Sequence, residues 1–272
     1  MTATRSDARP QTVGAILRAE IRRNLASRRS RLGLLIIGTA AVLGGLAVLA
    51  FVNEFDPEGI ASTSGTVPTA IELTGGMAAI LLGLHALSKA TAETRDGTVM
   101  SALLLVPDRR RLLLARAGAI MVISAAVGVG SALVTLVFGI VSSGGQTASM
   151  SLLTACVIAT AAAVPLTALL GFVTGTLVRR GALGMLLALT AVAVLPLATG
   201  VAQIVAPQAL APLLQVLLQA MPGTAIMQAV SVVGTEPGGL PAAIGGLAIL
   251  GVWTAVVGLG ALIKFRQEGL AA

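Results

Sequence analysis

The sequence predicts an all-α polytopic membrane protein with six transmembrane helices, an amphipathic N-terminal helix and short re-entrant or outer helices before the last span. Three observations predict it. Of 272 residues, 56% are hydrophobic and only 11% charged, whereas soluble domains keep about a quarter of their residues charged to face water. Six apolar runs reach the length of about 18 residues or more that crosses the hydrocarbon layer as a helix. Finally, every lysine and arginine falls in alternate segments between those runs, the pattern that fixes orientation in a membrane.

Residues 1–31 form a basic N-terminal region. Within residues 11–31, Val13, Ile16, Leu17, Ile21 and Leu25 fall on one side of a helix, with Arg18, Arg22 and Arg29 gathered opposite. Glu20 and Asn24 intrude on the apolar side. Such a helix lies in the headgroup plane or packs on a partner, and Arg18, Arg22 and Arg23 are its candidate interfacial cations. The first span, residues 32–52, rises about 31 Å at 1.5 Å per residue, one hydrocarbon thickness. It is longer than a signal-peptide core and follows 31 residues, so it reads as a retained anchor. The further spans are residues 68–88, 112–141, 150–178, 182–206 and 241–263. Residues 32–263 thus make one transmembrane domain, and residues 264–272 a tail.

Eight basic residues precede the first span, six lie from residue 89 to residue 116, where the second span leads into the opening turns of the third, two between the fourth and fifth, and two follow the sixth. The other connections hold only Glu54, Asp56, Glu58 and Glu236. Both termini are therefore expected in the cytoplasm. The net charge of +7 reports topology and attraction to anionic lipid, not nucleic acid. Sixteen of the 18 basic residues are Arg, which with the abundant alanine fits a GC-rich bacterial genome and a bacterial cell membrane. The long connection before the last span holds apolar stretches at residues 210–221 and 224–233, each too short to span. Two short helices dipping into the outer leaflet, or a partly ordered loop, fit that pattern.

Chemistry is thinly represented. Neither lysine, Lys89 after Ser88 or Lys264 after Ile263, sits in a phosphate-binding Gly-x-x-x-x-Gly-Lys-Ser/Thr loop, so no catalytic residues and no bound cofactor are expected of this chain. One histidine, His85, and one cysteine, Cys156, exclude a His/Cys zinc site and a disulfide framework. No span carries an ionisable group at its centre, where an ion-coupled transporter needs one. Glu72 comes nearest, a few residues into the second span; it is either an interfacial acid held by the helix dipole or a group that touches substrate. Pro165 and Pro196 each remove a backbone hydrogen bond inside a span, marking either a structural kink or a helix that lines a path. Gly171 and Gly175 form a small-xxx-small pair, and Ser131, Thr135 and Gly139 align on one face of the third span.

The most informative stretch is residues 89–116, KATAETRDGTVMSALLLVPDRRRLLLAR. Asp108 is a good N-cap for the third span. Arg109, Arg110 and Arg111 then crowd the positive end of that helix dipole, so something anionic must favour them there. Here the chain resembles the membrane subunits of ABC-2 type ATP-binding cassette exporters. Those carry a Glu-x-x-x-Gly-Thr element after the second span, then leucines, a proline and an arginine; the matching residues are Glu93, Gly97, Thr98, Leu103-Leu104, Pro107 and Arg110. The six spans, the N-terminal helix and the outer helices match as well. The resemblance implies a permease that pairs with a second permease copy, identical or not, and docks two ATPase subunits that bind the ATP and Mg. Glu93, Gly97, Thr98, Pro107 and Arg110 would form the loop that meets the ATPase. Two rivals share the hydropathy: a non-transporting scaffold or sensor subunit, and an autonomous secondary transporter. The first has no need of the Glu-x-x-x-Gly-Thr element, and the second lacks its mid-membrane charges.

Overall fold

The structure is a computed structural model that describes residues 12–55, 65–96, 109–142, 148–178, 181–205, 210–232 and 239–267, and these are helical throughout apart from short turns. Among the described residues, six helices are long and apolar enough to cross a membrane. The chain is thus all-α and built as a polytopic membrane protein.

Helix α1 (Val13–Ala26) starts at Thr12, whose hydroxyl accepts a hydrogen bond from the Ala15 amide at 3.4 Å. The single helix expected over residues 11–31 divides instead at Ser27. Ser27 is extended, and its carbonyl takes the Arg31 amide at 3.0 Å to begin α2 (Arg28–Phe55). Serine is favoured where a helix starts from an extended residue, and the break lets α1 change direction before the chain turns into the first span. The packed stripe of α1 also differs from the expected apolar face. Ile16, Glu20 and Asn24, at four-residue spacing, are buried, while Val13 and Leu25 stay exposed.

Helix α3 (Thr66–Arg95) follows Gly65, whose φ of 77° suits a residue without a Cβ. It runs on past residue 88, the expected end of the second span, because a helix need not stop where its hydropathy does. Thr91 and Thr94 turn their hydroxyls back to the Ser88 and Ala90 carbonyls in that extension. Helices α4 (Arg109–Ser142) and α5 (Met150–Val178) supply the third and fourth spans. The fifth is α6 (Gly181–Leu189), a π-turn (Thr190–Val194) and α7 (Leu195–Val205). Two short helices, α8 (Ala211–Ala220) and α9 (Pro222–Val230), meet at 73°, and α10 (Gly239–Gln267) is the last span.

The second and fourth spans form the centre, 61% and 56% buried over their apolar windows, whereas no residue in the apolar window of the fifth is buried. Small residues make that centre possible. A Cβ on Gly171 would stand 2.0 Å from the Gly83 carbonyl oxygen, and one on Gly175 only 2.6 Å from that of Leu87. The Gly171/Gly175 pair is therefore where α5 touches the α3 backbone, as close-packed membrane helices require. On the third span Thr135 meets Thr74 hydroxyl to hydroxyl at 3.0 Å, and Gly139 packs on Val67. At helix ends, Lys264 donates to the Leu177 carbonyl (2.6 Å) and Trp253 to that of Ala220 (2.8 Å), pairing acceptors that a helix terminus leaves open.

Candidate functional site, a charge quartet joining three helices

Where the N-terminal helix meets the start of the third span, Ile16 and Leu17 pack on Leu112 and Ala115. That contact lays α1 across the base of α4, beside the polar extension of α3. One turn along each helix, Glu20 and Arg23 of α1, Glu93 of α3 and Arg116 of α4 come together. Glu93 takes Arg23 Nη2 on Oε1 at 2.7 Å and Arg116 Nη1 on Oε2 at 3.2 Å. Arg116 Nε donates to Glu20 Oε1 at 3.3 Å, and Arg23 Nη2 closes the ring 3.0 Å from Glu20 Oε2. Opposite charges alternate around the ring and cancel.

Burial sets the weight of each contact. The side chains of Arg116, Glu20 and Glu93 are 7%, 9% and 16% exposed, against 43% for Arg23. Desolvated charges are tolerated only when paired and hydrogen-bonded, so the three buried members hold one another in place and Arg23 screens them from outside. The satisfaction is incomplete. Arg116 Nη2 and Asn24 Oδ1 have no hydrogen-bond partner, and the Arg23 contact to Glu20 Oε2 is close without being aligned as a hydrogen bond. A neutral but imperfectly satisfied cluster can hold three helix ends in one arrangement and still admit a second.

Of the residues singled out in the sequence, Glu93 and Arg23 belong to this ring, while Arg18 and Arg22 occupy the exposed side of α1. Arg110 stands exposed on the first turn of α4. Gly97, Thr98 and Pro107 lie outside the described residues. Glu72 binds the end of the bent outer pair, accepting from Ser231 Oγ at 3.3 Å and from the Val232 amide. Pro165 is buried within an unbroken α5. Pro196 follows the π-turn, where Leu195 already bonds five residues back to Thr190, and Gly223 of α9 closes on Val192 and Pro196. Glu20 and Arg116 are functional candidates that the sequence alone does not single out. A signal for Glu20 exists: with Asn24, four residues on, it intrudes on the otherwise apolar side of the helix. Among the described residues no three His, Cys, Asp or Glu side chains gather as metal ligands.

Comparison with known protein-family models finds no match, and none of the curated proteins matches the chain either.

Proposed function

We propose that the chain is the permease subunit of an ATP-driven exporter of ABC-2 type, embedded in a bacterial cell membrane with both termini in the cytoplasm. In this reading it supplies the translocation path and couples it to a separate ATPase subunit. One observation carries the reading. Glu93, which opens the Glu-x-x-x-Gly-Thr element, is ion-paired both to the N-terminal helix and to the third span. A loop that receives force from a partner must pass it to the spans, and a buried ring linking α1, α3 and α4 does that. Helix α1 would lie in the inner headgroup plane with Arg18 and Arg22 toward lipid phosphate or the ATPase. The bent pair α8–α9 would dip into the outer leaflet, tied to the second span through Glu72. ATP and Mg would bind in two copies of the ATPase, and a second permease copy would complete the complex.

The reading is tested by Glu93→Ala and Gly97→Val beside Glu54→Ala and Asp56→Ala, which alter the connection expected outside. Transport, and recovery of the complex with its ATPase, should fall only for the first two. Four variants behaving alike would remove the coupling role from this loop.

A further inference from the structure

Beside the charge quartet, α1 to α5 enclose a small cleft of about 30 Å³, room for about two waters. Its polar lining is Asn24, Ser30, His85, Lys89 and Ser124; its apolar lining includes Leu34, Leu82, Ile120 and Ile123. The His85 ring lies against the bare backbone of Gly33, where a Cβ would stand 3.2 Å from Cε1. His85 sits one turn deeper than Lys89 on α3, so the cleft grades from cationic to apolar.

Three features say what would fill it. The quartet of Glu20, Arg23, Glu93 and Arg116 is internally neutral, so it sets no net negative charge against Lys89. The carboxylate one turn along the same helix, Glu93, is already shared by two guanidinium groups, and no hydrogen bond or ion pair holds the Lys89 ammonium among the described residues. Asn24 is 6% exposed and its Oδ1 is buried without a partner, so a turn of this amide toward the cleft would bring it a hydrogen bond it now lacks. The floor is hydrocarbon, against which a hydrated inorganic ion would lose water without compensation.

We propose that this cleft binds the head of an anionic amphiphile, a phosphate or carboxylate on an alkyl chain. Lys89 pairs with the anion, Asn24 and Ser30 hydrogen-bond its oxygens, and Leu34, Leu82, Ile120 and Ile123 receive the first carbons. The space admits a head and little more, so the rest of the chain leaves along the helices. Basic pockets between membrane helices hold lipid headgroups by this chemistry. The site rests on the cleft's own residues and stands whether or not an ATPase partner exists.

The test uses the full chain purified in neutral dodecyl maltoside, with labelled dodecyl phosphate as probe. Saturable binding is expected, at least tenfold tighter than that of inorganic phosphate. Lys89→Gln should weaken it at least tenfold, and Arg29→Gln, an exposed cation on α2, should leave it unchanged. Ser30→Asp on the half-exposed lip is a second variant, expected to weaken binding by repulsion should Lys89→Gln fail to fold. Absence of saturable binding, equal affinity for inorganic phosphate, or indifference to both cleft variants would overturn the proposal. Repeating the titration in phosphatidylglycerol and phosphatidylcholine nanodiscs separates the sources. Loss of probe binding only with phosphatidylglycerol identifies a resident lipid, and equal binding in both identifies a free amphiphile; either result upholds the anion site.

Discussion

Replacing Arg116 by Met leaves Glu20 and Glu93 buried at one corner with Arg23 as the remaining cation of the ring between them. The Arg116 side chain is 7% exposed and its carboxylate partners 9% and 16%, so the loss is that of a broken buried pair, about 3–5 kcal/mol. Arg23 touches the same two carboxylates but is 43% exposed. Water screens it, and Arg23→Met is expected to cost at most about 1 kcal/mol. Arg116→Lys should fall between, since a single ammonium cannot reproduce the fork that reaches two carboxylates. Removing all three buried charges together, with Glu20→Gln, Glu93→Gln and Arg116→Met, should recover much of the loss, because a buried ion cluster replaced by neutral groups is often no less stable. The measurement is the midpoint of unfolding in mixed micelles, followed by helical circular dichroism as the denaturing detergent fraction rises. If Arg116→Met is no more damaging than Arg23→Met, the ring is not a buried structural unit.

Gly171→Ala places a Cβ against the Gly83 carbonyl and should destabilise by about 1–3 kcal/mol as overpacking does, whereas Gly130→Ala, which meets nothing within 4 Å, should be neutral or slightly stabilising in the same unfolding assay. Glu72→Gln weakens charge-assisted hydrogen bonds to Ser231 and Val232 worth about 1.5–3 kcal/mol when buried; for this half-buried group about tenfold faster hydrogen exchange at the Val232 amide is expected, and no change would show that the outer helices are held by other contacts. A reporter fused after Ala272 should be cytoplasmic and one inserted at Ser143 external; an external carboxyl terminus would contradict the six-span topology.

The spans are legible in the sequence because crossing a membrane imposes a length and a hydropathy that few other demands imitate. Their ends are less so. Residues 89–95 continue α3 as a polar helix, and helix continuation beyond the apolar layer leaves no hydropathic trace. The break at Ser27 is hidden for a related reason: the apolar spacing of α1 runs on into the first span, and one capping serine among other polar residues carries little signal. Sequence spacing brings out Gly171/Gly175 and Ser131/Thr135/Gly139, but only packing shows that the first pair faces α3 and that Thr135 meets Thr74. The contact of Gly223 in α9 with the π-turn before Pro196 is tertiary, and no local pattern announces it. At the candidate site, Glu93 is legible from its motif. Arg116 is not, because one arginine near a membrane boundary reads as a topological charge until its neighbours are known. Glu20 reads as a flaw in an amphipathic helix, and that flaw is where the helix is bound to the bundle.

The central claim is that this chain has no ATPase of its own and works with one that does. The most direct measurement is ATP hydrolysis by the purified chain, alone and reconstituted in liposomes with any Walker-type ATPase found encoded beside it. Alone, no hydrolysis above a mock preparation is expected, since neither Lys89 nor Lys264 lies in a phosphate-binding loop. Together, the two should form a stable complex whose hydrolysis rises with the permease and loses that stimulation in Gly97→Val. Saturable hydrolysis by the isolated chain with contaminants excluded, or an adjacent ATPase whose activity and recovery ignore the permease, would contradict the claim.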